Sequence, residues 1–421
     1  MNPVKNDNKM ESKIHITSKV SAIILLLISL FTGLLFQACD KEESQLMPEI
    51  SYVRVTDAAK SDSLLIHAFM GSTIAIIGKN LGDVDEIWFN DQKAFVNFSF
   101  VTNTSIIVTI PNVIPSEVTN QMLLINKNKV DTLKYPFGVD VPAPFLSSML
   151  CEYVDDGKTA VILGNFFIDD PASPLKVFFP GNLEGTVQSV TINEVKVKVP
   201  QGAGIGPIQV KSIYGSTRST FWFRDDRNII LDYDVLTTAG SWRGGTIRSD
   251  ENSLKGKYMM LKGQLDDGQM TEDYAGGGFV SELWSDANGR PQKNFFTGAV
   301  ADYLFKFEAN VKVWTGAYLN ICWGPWNTGA TSTNQLYWSD INARGFWRPW
   351  EGTSTGSFKT DGWITVTIPM TEMKYTRDYG SMTFDPNKAG SLTFWMHGPS
   401  GTAGAKSDVE IYIDNVRIVH K

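Results

Sequence analysis

Aromatic side chains crowd into loop-like stretches of the last third of the chain. The stretch LYWSDINARGFWRPWEGT, residues 336–353, places three tryptophans, a tyrosine and a phenylalanine among Asp, Asn, Arg, Gly and Pro. A shorter stretch, CWGPWNTG at 322–329, places two tryptophans on either side of a Gly-Pro pair. Neither has the alternation of a strand or the three- to four-residue period of a helix, and Gly and Pro mark turns. These rings therefore need a reason to lie on loops.

Flat aromatic rings on a surface suit the binding of sugar chains. The sugars of β-linked glucans present flat C–H faces that fit over an indole, whose N–H can also donate a hydrogen bond. If a sugar covers about 100 Å² of one ring, the gross gain is roughly 2.5 kcal/mol. After association and ordering costs, a few such contacts predict millimolar to micromolar binding. Such affinities suit a polymer that many copies capture together on a surface.

The aromatic residues divide by local context into glycan-binding candidates and core candidates. Rings near turns are predicted to bind a glycan: Trp284, Trp314, Trp323, Trp326, Tyr337, Trp338 and Trp350. Trp350 has an alternative role, because WRPW at 347–350 could pin a loop with Arg348 over an indole. Rings in or beside apolar strands are predicted to be buried: Trp242, Trp363 and Trp395. A tryptophan-rich core is the alternative for the whole set.

Catalytic chemistry has little support in the sequence. Glycoside hydrolysis needs two carboxylates on opposite sides of one bond. The acids of the last domain stand in no motif that pairs them: Glu308, Glu351, Asp361, Glu410 and Asp414. The chain has four histidines, and they form no Ser-His-Asp elbow or metal-ligand cluster. The sequence therefore predicts a protein that is not an enzyme and has no cofactor.

Charge and cysteine usage narrow the partners further. The net charge of −7 argues against a nucleic-acid partner, which favours a basic face. Cys151 and Cys322 are far apart in sequence and lack the spacing of a metal or nucleophile site. We expect both to be buried free thiols.

The candidate rings must be positioned by the strands of residues 227–421, which hold ten of the twelve tryptophans. Short apolar runs predict six of these strands: KYMMLKG (257–263), YLFKFEANV (303–311), YLNICW (318–323), WITVTIP (363–369), SLTFWMH (391–397) and EIYIDNVRIV (410–419). Loops rich in Gly, Ser, Thr and Asn separate them. The pattern predicts a jelly-roll β-sandwich of eight or more strands, similar to a carbohydrate-binding module.

Two earlier segments repeat one another at a spacing of about 90 residues. GSTIAIIGKNLG (71–82), EIWFN (86–90) and SIIVTIP (105–111) correspond to GKTAVILGNFF (157–167), KVFFP (176–180) and EVKVKVP (194–200). Gly78 and Gly164 are predicted to end a strand where the chain turns. The repeat resembles the IPT/TIG family of immunoglobulin-like domains, which often serve as spacers. We place these two domains at 48–140 and 141–226, so the whole chain is predicted to be all-β.

The N-terminus has the pattern of a secretory signal, residues 1–38. Four lysines precede the apolar run VSAIILLLISLFTGLLF (20–36), and LFQAC follows it at 35–39. LFQAC resembles a bacterial lipobox, which implies cleavage before Cys39 and a diacylglycerol on its thiol. The acidic tether after it, 39–47, resembles the surface-export tags of Bacteroidota lipoproteins. The alternative is an uncleaved membrane helix, but 17 apolar residues are at the bottom of the spanning range.

The order of lipobox, two Ig-like repeats and tryptophan-rich sandwich resembles a known family. Together with WRPWEGT (347–353) and TDGWITVTIPM (360–370), it is similar to the second type of surface glycan-binding protein from polysaccharide-utilisation loci. The resemblance implies a non-catalytic lipoprotein on the outside of the outer membrane. It further implies that the last domain binds xyloglucan or another β-glucan, as polysaccharide or oligosaccharide. Its expected neighbours are an outer-membrane glycan transporter complex and a surface glycanase.

Two other classes of function remain open from the sequence. One is a surface endoglycanase with an Ig-like stalk, whose catalytic acids would be hidden among unpaired carboxylates. The other is an adhesin that binds a protein partner through the same aromatic residues. A reducing-end assay distinguishes the first from a binder, and retardation in glucan-containing gels distinguishes the second.

Overall fold

The computed structural model describes residues 47–60, 62–127, 132–238, 245–266, 280–283, 293–326, 339–398 and 405–421, with 280–283 described by their backbone. Within these ranges the chain forms strands and 3-10 turns and no α-helix. No helix in this part of the chain is long and apolar enough to cross a membrane. The predicted signal and Cys39 lie outside the described residues. Two compact units divide the chain, one up to Val141 and one from Pro142 onward.

The first unit is an Ig-like sandwich of two four-stranded sheets, ordered β2-β1-β4-β7 and β6-β5-β8-β9, with β3 and β10 as a separate parallel pair. Its strands are β1 (Glu49–Val55), β2 (Leu64–Leu65), β3 (His67–Phe69), β4 (Thr73–Lys79), β5 (Val84–Phe89), β6 (Gln92–Lys93), β7 (Ser105–Thr109), β8 (Gln121–Asn126), β9 (Thr132–Pro136) and β10 (Gly138–Asp140). Alternate residues, such as Ile106 and Val108 of β7 or Met122 and Leu124 of β8, are buried. These side chains fill the space between the two sheets.

The second Ig-like sandwich repeats this arrangement with sheets β11-β12-β16-β15 and β14-β13-β17-β18. Its strands are β11 (Phe145–Met149), β12 (Thr159–Asn165), β13 (Lys176–Phe179), β14 (Leu183–Glu184), β15 (Thr186–Val190), β16 (Glu194–Lys198), β17 (Gln209–Ser212) and β18 (Gly215–Arg218). The central strands β12 and β16 occupy the places that β4 and β7 have in the first sandwich. The repeat read from the sequence is therefore a repeat of structure.

Gly78 and Gly164 have a different role from the one predicted. They lie within β4 and β12, opposite a register shift in the neighbouring strand, rather than at a turn. An added Cβ would stand 1.9 Å from the carbonyl oxygen of Glu49 in the first domain. A Cβ added to Gly164 would likewise stand 1.9 Å from the carbonyl oxygen of Phe145 in the second domain. Both glycines therefore allow a close approach of two backbones at a β-bulge.

The C-terminal domain is a larger sandwich of a seven-stranded and a four-stranded sheet. Its strands are β19 (Ile229–Leu231), β20 (Thr246–Arg248), β21 (Tyr258–Asp266), β22 (Val280–Leu283), β23 (Tyr303–Thr315), β24 (Tyr318–Gly324), β25 (Gly345–Trp347), β26 (Ser357–Phe358), β27 (Ile364–Pro369), β28 (Ser391–His397) and β29 (Lys406–His420). The larger sheet runs β20-β21-β29-β23-β26, with β19 on β29 and β27 on β23; the smaller runs β22-β28-β24-β25. All six strands predicted for this domain are confirmed.

Side chains between the two sheets form one continuous core. Phe305 and Phe307 of β23 point inward from the larger sheet, and Leu392, Phe394 and Met396 of β28 point inward from the smaller one. Because successive side chains of a strand point to opposite faces, the residues between them lie on the outer faces of the sheets. The predicted all-β fold of two Ig-like sandwiches and a larger sandwich is confirmed.

Short 3-10 turns join the strands: Ala58–Lys60, Leu81–Asp83, Phe98–Phe100, Val300–Asp302, Pro349–Gly352, Met370–Glu372 and Pro386–Lys388.

Candidate functional site

Two of the predicted platform rings are core residues. Trp314 is 0% exposed and Trp323 is 1% exposed, and both belong to the core between the sheets. The ring of Trp323 packs edge-on against Phe305 at 5.2 Å, and Trp314 packs edge-on against Trp347 at 5.0 Å. The prediction that these two rings face a ligand is wrong, because each lies on the inner side of its strand.

The WRPW stretch is held from inside the domain. The indole N–H groups of Trp314 and Trp350 both donate to the carbonyl oxygen of Ala317, at 2.6 and 2.5 Å. Trp347 and Trp350 are partly buried and pack against the core. This geometry favours the loop-pinning alternative for Trp350, although part of its ring stays accessible. Among the described residues Arg348 lies over the rings of Phe346 and Tyr379, whereas the loop-pinning alternative placed it over an indole.

Trp326 is the most exposed tryptophan of the described residues, at 36%. It follows β24 directly, and its backbone passes so close to Gly390 that a Cβ there would lie 2.6 Å from the Trp326 nitrogen. The Gly390 N–H donates to the Gly324 carbonyl, which fixes the end of β24. Trp284, Tyr337 and Trp338 lie outside the described residues and stay predictions, as does Trp242 for the core.

The remaining core predictions are settled by burial. Trp395 and both described cysteines, Cys151 and Cys322, are buried, and the cysteines are free thiols. Trp363 is partly buried, and its N–H donates to the carbonyl oxygen of Asn252 at 2.8 Å. It packs against Tyr258 and Tyr412 on the outer face of the larger sheet.

The outer face of the smaller sheet carries aromatic and polar side chains. Tyr318 of β24 stands opposite His397 of β28, and Asn320 stands opposite Trp395. On the other side of β24, Asn320 pairs with Phe346 of β25. This alternation, with Leu319 and Ile321 pointing into the core, separates the two faces of β24.

Five rings meet at one end of that face, and we call them the aromatic cluster: Tyr318, Phe346, Tyr375, Tyr379 and His397. The ring centroids of Phe346 and Tyr379 are 4.9 Å apart, and those of Tyr318 and His397 are 4.8 Å apart. Tyr318 is 6.1 Å from Tyr379, which closes the group. Tyr379 is 43% exposed and the other four rings are partly buried. The cluster thus presents aromatic surface to solvent.

A tight turn presents Tyr379. The Thr376 N–H donates to the Gly380 carbonyl and the Tyr379 N–H donates to the Thr376 carbonyl. Tyr379 itself has a φ of +63°, a left-handed conformation that costs a bulky residue free energy. The Tyr375 carbonyl accepts from the Arg344 N–H at 2.9 Å, which ties the turn to the strand. Backbone strain at a ring that is 43% exposed is typical of a functional position.

Charge around the cluster is balanced by neighbours. The Arg348 guanidinium lies 5.6 Å from the Phe346 ring centroid and 5.7 Å from that of Tyr379, and it pairs with Glu351 at 3.0 Å. Burial lowers the pKa of His397, so its ring is neutral at pH 7, with Nδ1–H donating to the Gly398 carbonyl. A second cation, Lys374, lies 5.6 Å from the Tyr375 ring centroid and pairs with Glu372 at 2.8 Å. A neutral aromatic face with paired cations at its rim suits an uncharged, hydroxyl-rich ligand.

Of the acids considered for catalysis, Glu351 lies beside the cluster and is paired with Arg348, whereas three others lie elsewhere. Glu308, Glu410 and Asp414 are on β23 and β29 of the larger sheet, on the opposite side of the sandwich. Glu410 accepts from Tyr412 at 2.6 Å and pairs with Lys262 at 2.9 Å. In the described parts of the chain, no three His, Cys, Asp or Glu side chains are grouped to hold a metal ion.

None of the five rings of the aromatic cluster is among the glycan-binding residues predicted from the sequence. The prediction weighted tryptophan over tyrosine and phenylalanine, and it did not use the alternation of YLNICWG. That alternation groups Trp323 with Leu319 and Ile321, and leaves Tyr318 on the other face. The contribution of Tyr379 comes from a turn whose partners are distant in sequence, and local pattern does not contain that information.

Comparison with known proteins matches this architecture to glycan-binding proteins. Residues 223–420 match the family model described as the surface glycan-binding protein B xyloglucan binding domain. The solved surface glycan-binding protein PbSGBP-B from Prevotella bryantii is 27% identical, with a TM-score of 0.70 over 89% of this chain and 99% of that one. An IPT/TIG domain-containing protein of Bacteroides ovatus is 32% identical over 174 residues, 39% of this chain. The match spans only 35% of that relative's length. Residues 223–420, which form the C-terminal domain, are thus similar to the xyloglucan binding domain of surface glycan-binding protein B.

Proposed function

We propose that this protein captures a β-linked plant glucan of the xyloglucan class at the cell surface, without cleaving it. The observation that carries the proposal is the match of residues 223–420 to the xyloglucan-binding domain family. The function would reside in the C-terminal domain, where the outer face of the smaller sheet offers aromatic surface.

The proposed binding platform lies at the two ends of β24. The aromatic cluster lies at the Tyr318 end, and Trp326 follows the Gly324 end, roughly 20 Å away for a strand of this length. Asn320 and Cys322, on the outer face of β24 between these ends, are each 1% exposed, so a sugar chain would contact the aromatic cluster or Trp326 rather than the strand between them. Tyr318, Phe346 and Tyr379 would stack on its sugars, while Arg348 would donate to hydroxyl groups. Trp284, Tyr337, Trp338 and the accessible part of Trp350 stay candidates for the same platform.

The rest of the chain would hold this platform outside the cell. Cys39, if acylated, anchors the protein in the outer membrane, and the first Ig-like domain adds length after the tether. Captured glycan would then pass to an outer-membrane transporter complex, with a surface glycanase supplying shorter chains. The family's description as surface proteins supports the location.

Affinity electrophoresis of residues 40–421 tests the proposal. We expect retardation by xyloglucan or mixed-linkage glucan and not by mannan or xylan. Tyr379→Ala and Trp326→Ala should each weaken binding on the order of 10-fold, because each removes stacking area. Tyr52→Ala, an exposed tyrosine of the first domain, is the matched control and should bind as wild type.

Two outcomes would contradict the proposal. Release of reducing ends from any of these glucans, abolished by one acid-to-amide change, would make the protein an endoglycanase. Absence of retardation by every glucan would favour a protein ligand for the aromatic face. Unchanged melting temperatures of the two variants are needed to separate lost binding from lost folding.

A further inference from the structure

Part of the outer face of the larger sheet in the C-terminal domain packs against the second Ig-like domain through a buried charge network. Glu152 belongs to the second Ig-like domain, whereas Lys306, Glu308 and Arg417 belong to β23 and β29. All four residues are at most 3% exposed. Arg417 donates to Glu152 at 2.7 Å and to Glu308 at 2.8 Å, and Lys306 pairs with the other oxygen of Glu152.

The network is electrically balanced only when both domains contribute. Two carboxylates meet two cations, and one carboxylate comes from the second Ig-like domain. Glu308 is 0% exposed and the neighbouring Cys151 is 8% exposed, and this burial raises the pKa of both groups. Removing Glu152 would leave two buried cations facing one carboxylate. Breaking a buried pair in this way destabilises far more than losing a surface pair.

Backbone hydrogen bonds join the same two domains. The Thr365 N–H of β27 donates to the Leu150 carbonyl at 2.8 Å. The Glu152 N–H donates to the Thr365 hydroxyl at 2.7 Å, and that hydroxyl donates to Glu308 at 2.6 Å. Thr365 therefore links the backbone of one domain to the buried carboxylate of the other.

The connecting segment, residues 224–228, is fixed at both ends. Arg224 donates to the carbonyl oxygens of Val154 and Ala203 in the second Ig-like domain. Asn228 donates to the carbonyl oxygen of Ile418 in the C-terminal domain at 2.8 Å. Between them, Asp225 is fully buried and holds Arg227 through two contacts of 2.8 Å. A segment held in this way does not act as a free hinge.

We propose that the second Ig-like domain is a structural part of the glycan-binding module, and that residues 142–421 unfold and move as one rigid body. The second Ig-like domain is therefore a rigid support for the C-terminal domain rather than a spacer. It docks on the larger sheet, and the aromatic cluster lies on the outer face of the smaller sheet. The second Ig-like domain thus lies on the side of the sandwich opposite the aromatic cluster. This last point rests on the proposed glycan function, whereas the joint unfolding does not.

Hydrogen exchange on residues 40–421 tests the proposal with Glu152→Gln. We expect exchange of the slowest amides to accelerate roughly 100-fold or more in β23 and β29, although the substituted residue lies in the other domain. Glu152→Gln with Lys306→Met removes one charge of each sign and should recover part of the protection. Glu184→Gln, which breaks an exposed pair with Lys176 in the same Ig-like domain, should change neither domain. Acceleration confined to the second Ig-like domain would overturn the proposal.

A milder variant covers the case in which Glu152→Gln does not fold. Thr365→Val keeps the side-chain shape and removes the hydroxyl that contacts Glu152 and Glu308. We expect roughly 10-fold faster exchange in β12 and β16 of the second Ig-like domain as well as in β23. Unchanged exchange in β12 and β16 would overturn the proposal. Xyloglucan retardation, measured on the same samples below their melting temperatures, should persist; its absence already in wild type refutes the glycan function alone.

Discussion

Asp414 is a buried carboxyl on the outer face of the larger sheet, and it makes the stability of the domain depend on pH. One of its oxygens accepts from the Asn415 N–H at 2.7 Å, and within the described residues the other oxygen has no hydrogen-bond partner. Burial raises the pKa of Asp414 from 3.8 to about 8, and the nearby carboxylates of Asp234, Glu308 and Asp232 add to the shift. The folded protein therefore holds a proton here at neutral pH that the unfolded chain has lost.

The sign of the pH effect follows from linkage. Between pH 4 and 8, roughly, the folded state binds more protons at this site, so the free energy of unfolding falls as the pH rises. The full difference amounts to on the order of 5 kcal/mol above pH 8. We expect Asp414→Asn, which cannot ionise, to gain stability relative to wild type across this range and to level off above it. Thermal melts of both proteins from pH 4 to 9 measure this, and a constant difference would contradict it.

The two corrected tryptophans show what a sequence can and cannot reveal about single residues. Trp323 alternates with Leu319 and Ile321 on β24, so the pleat alone predicts that it points into the core. Trp314 does not follow the alternation of Phe305 and Phe307, because the pairing of β23 with β29 shifts register between Val311 and Val313. That shift turns Trp314 inward, and it depends on the partner strand. The first burial was predictable from the sequence, and the second was not.

At the scale of elements, the sequence predicted six of the eleven strands described in the C-terminal domain, and it did not predict β-bulges or the contacts between distant loops and strands. Short alternating runs gave every strand predicted for the C-terminal domain, because the period of two is local. The bulges opposite Gly78 and Gly164 arise from pairing with a distant strand. The aromatic cluster likewise needs the turn that carries Tyr379 to meet β24 and β25. Such meetings depend on tertiary packing that no local window contains.

The bulge glycine of the second Ig-like domain provides a test of that packing. Gly164→Ala would place a Cβ 1.9 Å from the Phe145 carbonyl oxygen and 2.6 Å from the Phe167 ring. The strands must separate to admit it, so we expect a loss of roughly 1–3 kcal/mol in the free energy of unfolding. Gly352→Ala is the control, because an added Cβ there meets nothing within 4 Å. Equal losses for both variants, measured by urea titration, would show that β12 and β11 can relax apart.

At the scale of the whole molecule, the polar and charged residues divide by the surface they serve. The larger sheet uses its outer face for a buried network that holds another domain, and the smaller sheet leaves aromatic rings in solvent. The sequence did not predict these different uses of the two outer faces, because an acid such as Glu308 fits a solvated strand position equally well. Its burial depends on residues distant in sequence, including Cys151 of the second Ig-like domain, more than 150 residues away. The domain that resembles a spacer in sequence thus determines how the binding domain is held.

Truncation provides a measurement at this scale. A fragment that begins at 227, the boundary predicted from sequence, lacks Glu152 and the Leu150 carbonyl, and it exposes Lys306, Glu308 and Arg417 to water. We expect it to unfold with a free energy lower by on the order of 3 kcal/mol than a fragment beginning at 142, because the docked contacts are lost. Both fragments should still be retarded by xyloglucan below their melting temperatures, since the aromatic cluster lies on the other sheet. Equal stability of the two fragments in urea titration would mean that the C-terminal sandwich does not need the second Ig-like domain for its stability. The buried network would then orient the two domains without stabilising either.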